Sequence, residues 1–147
     1  MRVSTRGRYG VRLMIELALQ RGQEKLTLKA VARRQGISEK YLWQVAHALQ
    51  KAGLIRATAG ARGGYVLARP ASAITLLDIL TALEGDIHPV ECVKRPGACD
   101  RSSTCAAREM WSEVGRKIAA VLGGVGLEGV AAQQRRISEA KAISYVI

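Results

Sequence analysis

"LTLKAVARRQGISEKYLWQVAHALQKAGLI", residues 26–55, decides the fold. Thr27 suits the cap of a short helix, and Gly36 suits its end. Ser38 caps a second helix, in which Leu42, Val45, Ala46 and Leu49 recur at spacings of three and four before Gly53 stops it. Helix, tight turn at Gly36, helix over residues 28–52 is the helix-turn-helix pattern. A plain helical hairpin has the same hydrophobic pattern, so the flanking sequence must separate the two.

Downstream, "LIRATAGARGGYVLA" holds two β-prone runs, Leu54–Thr58 and Tyr65–Ala68, around the tip "GARGG". That predicts a hairpin. A helix-turn-helix followed at once by a hairpin with Arg62 and Gly63 at its tip is a winged helix, and Pro70 closes the module. Upstream, residues 8–20 place Tyr9, Val11, Leu13, Met14, Leu17 and Ala18 on one helical face, with Ser4 or Thr5 as cap and Gly22 as stop. The fold class expected is mainly α with a small β wing.

The second half reads differently. "ITLLDILTALEG" predicts a connecting helix within residues 71–90, capped near Thr75 and ended by Gly85. Residues 91–106 carry Pro96, Gly97 and "DRSST" and read as a loop. Residues 107–124 form a helix of about five turns with Met110, Trp111, Val114, Ile118, Val121 and Leu122 on one side. That face packs on its own domain or on a second copy about a two-fold axis. Over residues 125–147 the expectation is a short helix and a flexible tail.

Charge follows the same division. The chain carries a net +11, but residues 1–70 hold 14 Lys/Arg against 3 Asp/Glu, and residues 71–147 hold 9 of each. The whole excess lies in the winged module, the footprint of a polyanion partner rather than of a uniformly basic surface. Double-stranded DNA is the expected partner. In a helix-turn-helix the second helix enters the major groove by its N-terminal residues, here Ser38, Glu39, Lys40, Tyr41, Trp43 and Gln44. Gln44 can read adenine in bidentate fashion, and Glu39 can accept from cytosine. Tyr41 and Leu42 can instead pack inward. Arg2, Arg6, Arg8 and Arg33 suit phosphates, and Arg62 suits a narrow minor groove. His47 reads as a partly buried helix residue rather than a ligand.

All three cysteines, Cys92, Cys99 and Cys105, fall in "ECVKRPGACDRSSTC" at residues 91–105. Thiolates suit zinc, Cu(I) and iron–sulfur clusters. Gaps of six and five residues are long for a zinc knuckle. Three cysteines and one further residue fill the four corners of an iron–sulfur cluster. Lys94, Arg95 and Arg101 lie within the segment, where positive charge can offset that of a ligated cluster. Three reduced thiols acting as a redox sensor are the metal-free alternative. The chain has no start resembling a secretory signal and no apolar run long enough to span a membrane, so a cytoplasmic protein is expected.

Together with the spaced cysteines, "MRVSTRGRYGVRLMIELAL", "ARRQGISEKYLWQVAHALQKAGLI" and "GARGGYVLARPASAITLLDIL" resemble the iron–sulfur cluster regulator family of IscR, NsrR and RirA. The resemblance extends to about Leu127. It implies a homodimeric winged-helix transcription factor on a palindromic operator, with the long helix as dimer seam. It implies a recognition helix from about Ser38 to Lys51 and a wing tip at 60–64. It also implies a 2Fe–2S cluster, alternatively 4Fe–4S, on Cys92, Cys99 and Cys105.

Departures are specific. The first cysteine gap is six where five is common, and Arg108 stands where well-known members carry a histidine ligand. Arg8 stands where others supply an acidic ligand from the partner. Trp43 occupies the position of a glutamate that discriminates target sites in some members, so that switch is not carried over. Local candidates for a fourth ligand are Glu109 and His88, then Glu91 and Asp100, along with water or an exogenous thiol.

The function expected is a DNA-binding regulator, a repressor gated by an iron–sulfur cluster and acting on iron–sulfur biogenesis or iron and sulfur metabolism. A metal-free thiol or cysteine-metabolism sensor of the same fold is one alternative. An iron–sulfur carrier or electron-transfer protein is another. With His47 and His88 in unrelated segments and no nucleotide-binding loop, an enzyme is not expected.

Overall fold

The computed structural model describes residues 3–21 and 24–146; Arg2 and Gly22 lie outside them. Helix α1 spans Thr5–Leu19, three residues longer at its start than the periodicity indicates. Ser4 supplies the reason: its Oγ accepts from Gly7 N at 3.1 Å, satisfying a first-turn donor. Leu13, Met14 and Leu17 are buried, and Tyr9, Val11 and Ala18 pack partly against the core.

The helix-turn-helix is α2 (Leu28–Gln35) and α3 (Glu39–Lys51). Thr27 caps α2 through Ala30 N, and Ser38 caps α3 through Tyr41 N. Gly36 turns the chain with φ 64°, a left-handed conformation that costs glycine little. Leu42, Val45, Ala46 and Leu49 of α3 are fully buried against α1 and α2.

Strands β1 (Ile55–Thr58) and β2 (Gly64–Leu67) pair antiparallel, with Ile55 opposite Leu67 and Thr58 opposite Gly64. The hairpin is shifted by one residue at some ends from its sequence-predicted bounds. Thr58 Oγ1 clamps its neck by donating to Gly64 O and accepting from Gly64 N. A bridge between Leu26 and Tyr65 adds a third short rung, through Leu26 N to Tyr65 O and Tyr65 N to Leu26 O. No pattern in the sequence announces this rung, since a single bridged residue has no periodicity.

After a 3-10 turn at Ala71–Ala73, helix α4 spans Leu76–Glu84 behind a full capping box between Thr75 and Asp78. It packs on α1 at a close approach, where a Cβ on Gly10 would fall 2.0 Å from Leu83 Cδ1. The segment expected as a loop instead contains helix α5 (Glu91–Lys94) and a 3-10 turn at Pro96–Ala98. Proline at the first position of that turn gives up no hydrogen bond, so it starts local structure rather than opposing it.

Helix α6 spans Ala106–Gly123, one residue earlier at each end than expected, and buries only Gly115. Helix α7 runs unbroken over Leu127–Val146 where a short helix and flexible tail were expected. Beyond Gly129 it has neither glycine nor proline, and Ala, Gln, Arg, Glu and Lys are good helix formers. Leu127 and Ala131 seat its first turns against the body, and every residue from Arg135 to Val146 is exposed.

Candidate nucleic-acid interface and thiol segment

The burial of one side of α3 leaves the other side open. Ser38, Glu39, Lys40, Trp43, Gln44 and His47 are exposed, so nearly all the candidate base-reading side chains share an accessible face. Tyr41 departs from that set. It is half-buried, edge-on to Tyr9 with ring centroids 5.7 Å apart, and helps fasten α3 to α1. Leu42 packs fully inward. His47 corrects the expectation of partial burial: it is exposed and stacks on Trp43, centroids 5.6 Å apart and planes at 12°. At i and i+4 these two residues are helix-surface neighbours, a spacing the sequence already contained.

Arg6, Arg8, Arg33, Arg62 and Gly63 are all exposed. Arg8 donates to Thr5 Oγ1 at 3.2 Å, which keeps it over the first turn of α1. Arg62 and Gly63 stand at the wing tip, beyond the Thr58–Gly64 clamp.

Orientation of the helix-turn-helix rests on a polar network that the sequence reading missed. Glu16 of α1 is buried among α2 side chains, where its Oε2 accepts from Arg34 Nη1 at 3.1 Å and its Oε1 from Gln35 Nε2 at 2.6 Å. Arg12 donates to Gln35 Oε1 at 2.6 Å and to Gln35 O at 2.9 Å, and its guanidinium lies 5.7 Å from the Tyr9 ring centre. Gln35, the residue that precedes the turn, thus joins α2 to α1. The one signal in the sequence was Glu16, an acid inside an otherwise apolar stripe.

The three thiols are free: Cys92 on α5 and Cys105 at the N-terminal cap of α6 are half-buried, and Cys99 is exposed. Arg108 Nε donates to Cys92 O at 3.0 Å, tying α5 to the first turn of α6. This is the residue that stands where a histidine ligand was sought. Ser102 Oγ donates to Cys99 O at 2.7 Å, and Arg95 Nε to Glu91 Oε1 at 2.7 Å, so Glu91 is engaged within its own helix.

The fourth-ligand candidates separate. Glu109 lies one turn from Cys105, exposed, with its N–H directed to Cys105 O. His88 and Pro89 instead lie against the middle of α6, where a Cβ on Gly115 would meet Pro89 Cδ at 3.2 Å. Ten residues of helix put that point about 15 Å from Cys105 along the axis. His88 Nδ1 also contacts Asp86, whose carboxyl is held below its ordinary value chiefly by that hydrogen bond. As donors, three soft thiolates and one acid on a single segment fit an iron–sulfur cluster. Among the described residues, however, no three His, Cys, Asp or Glu side chains converge to hold a metal.

On α6, Met110 is 51%, Trp111 38% and Val121 68% exposed, while Val114, Ile118 and Leu122 are half-buried. Trp111, Val114 and Ile118 line a cleft against Leu80, His88 and Pro89 that the chain's own side chains leave open. No described helix is long and apolar enough to cross a membrane.

The Rrf2 family profile, described as an iron-dependent transcriptional regulator, matches residues 3–133. The transcriptional regulator CymR of Bacillus subtilis is 40% identical over 131 residues, covering 89% of this chain and 90% of that protein. IscR of Xenorhabdus nematophila is 31% identical over 134 residues, covering 91% and 81%. The solved structure of CymR, the global cysteine regulator of B. subtilis, superposes with a TM-score of 0.75 at 39% identity, over 90% of this chain and 98% of that one. These relatives are transcriptional regulators rather than enzymes. The chain belongs to the Rrf2 family of DNA-binding transcription regulators.

Proposed function

We propose that this chain is a homodimeric repressor whose grip on a palindromic operator is set by an iron–sulfur cluster on Cys92, Cys99 and Cys105, acting on genes of iron–sulfur assembly or of iron and sulfur metabolism. One observation carries the reading. All three thiols lie on the segment that links the winged module, through α4, to α6. A change of shape there acts directly on the helix expected to join the two copies.

Bound, the cluster would supply a thiolate-held centre sensitive to oxidants and to iron supply. The protein supplies everything else. Arg108, bonded to Cys92 O, hands any movement of α5 to the base of α6. Two recognition helices must meet half-sites one turn apart, so small changes between the copies alter affinity steeply. The exposed apolar face of α6 supports the dimer, and the exposed side of α3 with Arg62 supports DNA contact.

A second reading has a specific observation behind it. A relative 40% identical bears the name of a regulator whose structure is described as that of a global cysteine regulator. On that reading the same segment responds as free thiols, with no metal. Iron, sulfide and visible absorption per chain after oxygen-free purification separate the two. Matched iron and sulfide with charge-transfer bands are expected. A colourless protein that cannot be reconstituted leaves only the thiol reading.

A further inference from the structure

The open side of α3 carries a feature that phosphate contact does not require. Trp43 is 58% exposed, and among the described residues the other large exposed apolar side chains all belong to α6 and α7. An indole left in water on a DNA-binding helix forgoes a large burial term unless a partner covers it. His47 stacks on it and presents no ring of its own to the core. Lys40, Trp43, Gln44 and His47 fall within about 100° of helix arc, so the stacked pair shares one face with a cation and an amide.

We propose that Trp43, held in place by His47, is the thymine-reading residue of this regulator, its ring packing on C5-methyl groups in the major groove. The methyl is the one apolar group that the base edges offer there. The inference rests on α3 being the groove-entering helix. Lys40 and the cationic winged module around it match the phosphates that border the groove. Gln44, at the other edge of the same arc, has the amide that reads adenine, so the two favour half-sites rich in A·T pairs. His47 is a positioning residue: the stack fixes the indole before DNA arrives, which lowers the ordering cost on binding.

The test selects bound duplexes from a random pool with the full-length protein, then replaces each thymine of the selected operator in turn with deoxyuridine. Only the methyl is lost. At one or two positions in each half-site the unmodified protein should bind about fourfold more weakly per methyl removed. Trp43→Ala and Trp43→Gln, at an exposed position, should bind thymine and uracil operators alike. His47→Phe should keep the thymine preference and His47→Ala should reduce it. Equal uracil penalties in the parent and Trp43→Ala, or none in either while the operator is still bound, overturn the thymine assignment and leave α3 as the reading helix. An unchanged preference in His47→Ala removes the positioning role. If the folded protein enriches no sequence, the groove-entering reading fails and the inference falls with it.

Discussion

The two halves of this molecule are built on opposite terms. From α1 to α4, each helix has a capping side chain and a buried apolar stripe, and Glu16, Arg34, Gln35 and Arg12 complete one another's hydrogen bonds. From α5 to α7, only Gly115, Leu127 and Ala131 of the two long helices are buried, and Met110, Trp111 and Val121 face outward. The first half holds the charge and is closed upon itself. The second is neutral, holds the thiols and leaves its apolar face uncovered. A unit that must present a fixed surface to DNA needs the first construction. On the proposed function, the second is the unit that transmits a change between copies.

The largest expected effect breaks the closed half. Leu42→Ala should lower stability by about 2–5 kcal/mol, because it empties a fully buried site shared by α1, α2 and α3. A thermal melt reads it. A loss below about 1 kcal/mol would mean that the core is looser than its burial implies. In the open half, charging the apolar face of α6 with Met110→Glu and Val121→Glu should instead separate the copies and leave the helical signal intact. Sedimentation mass would then fall to one chain. An unchanged mass would place the seam elsewhere.

Charge gives the next contrast. Lys40→Ala and Arg62→Ala should each lower the slope of log affinity against log salt by about 1, one phosphate contact apiece. Arg116→Ala, equally exposed but on α6, should leave that slope unchanged. The smallest contrast concerns two helix caps. Thr75→Ala removes a capping box and should cost about 1 kcal/mol. Cys105 caps α6 without any side-chain hydrogen bond, so Cys105→Ala should shift the melt by less than about 0.5 kcal/mol. That neutrality makes the cysteine variants clean reporters of function.

The closed half was legible because its signals are local. Thr27, Ser38 and Thr75 cap as their types suggest, and Gly36 takes the left-handed turn. The apolar spacing of α3 matches its burial residue for residue. The open half was less legible because its determinants are not periodic. Helix α7 was obscured by Gly124, Gly126 and Gly129 at its start and by a polarity that never forms a stripe. Pro96 hid local structure by looking like a breaker. The Arg108–Cys92 tether joins residues 16 apart, and nothing in either neighbourhood marks the pair. Trp43 and His47 were visible at helical spacing, but only burial tells a packed ring from an exposed one.

The central claim is that Cys92, Cys99 and Cys105 govern how the winged module holds its operator. The most direct measurement compares operator affinity between the anaerobically loaded protein and the triple Cys→Ala variant at one salt concentration. Coupling of the size usual between linked sites predicts a difference of about 5- to 150-fold, with both proteins melting alike. Equal affinities would contradict the account and leave the thiols with no part in DNA binding.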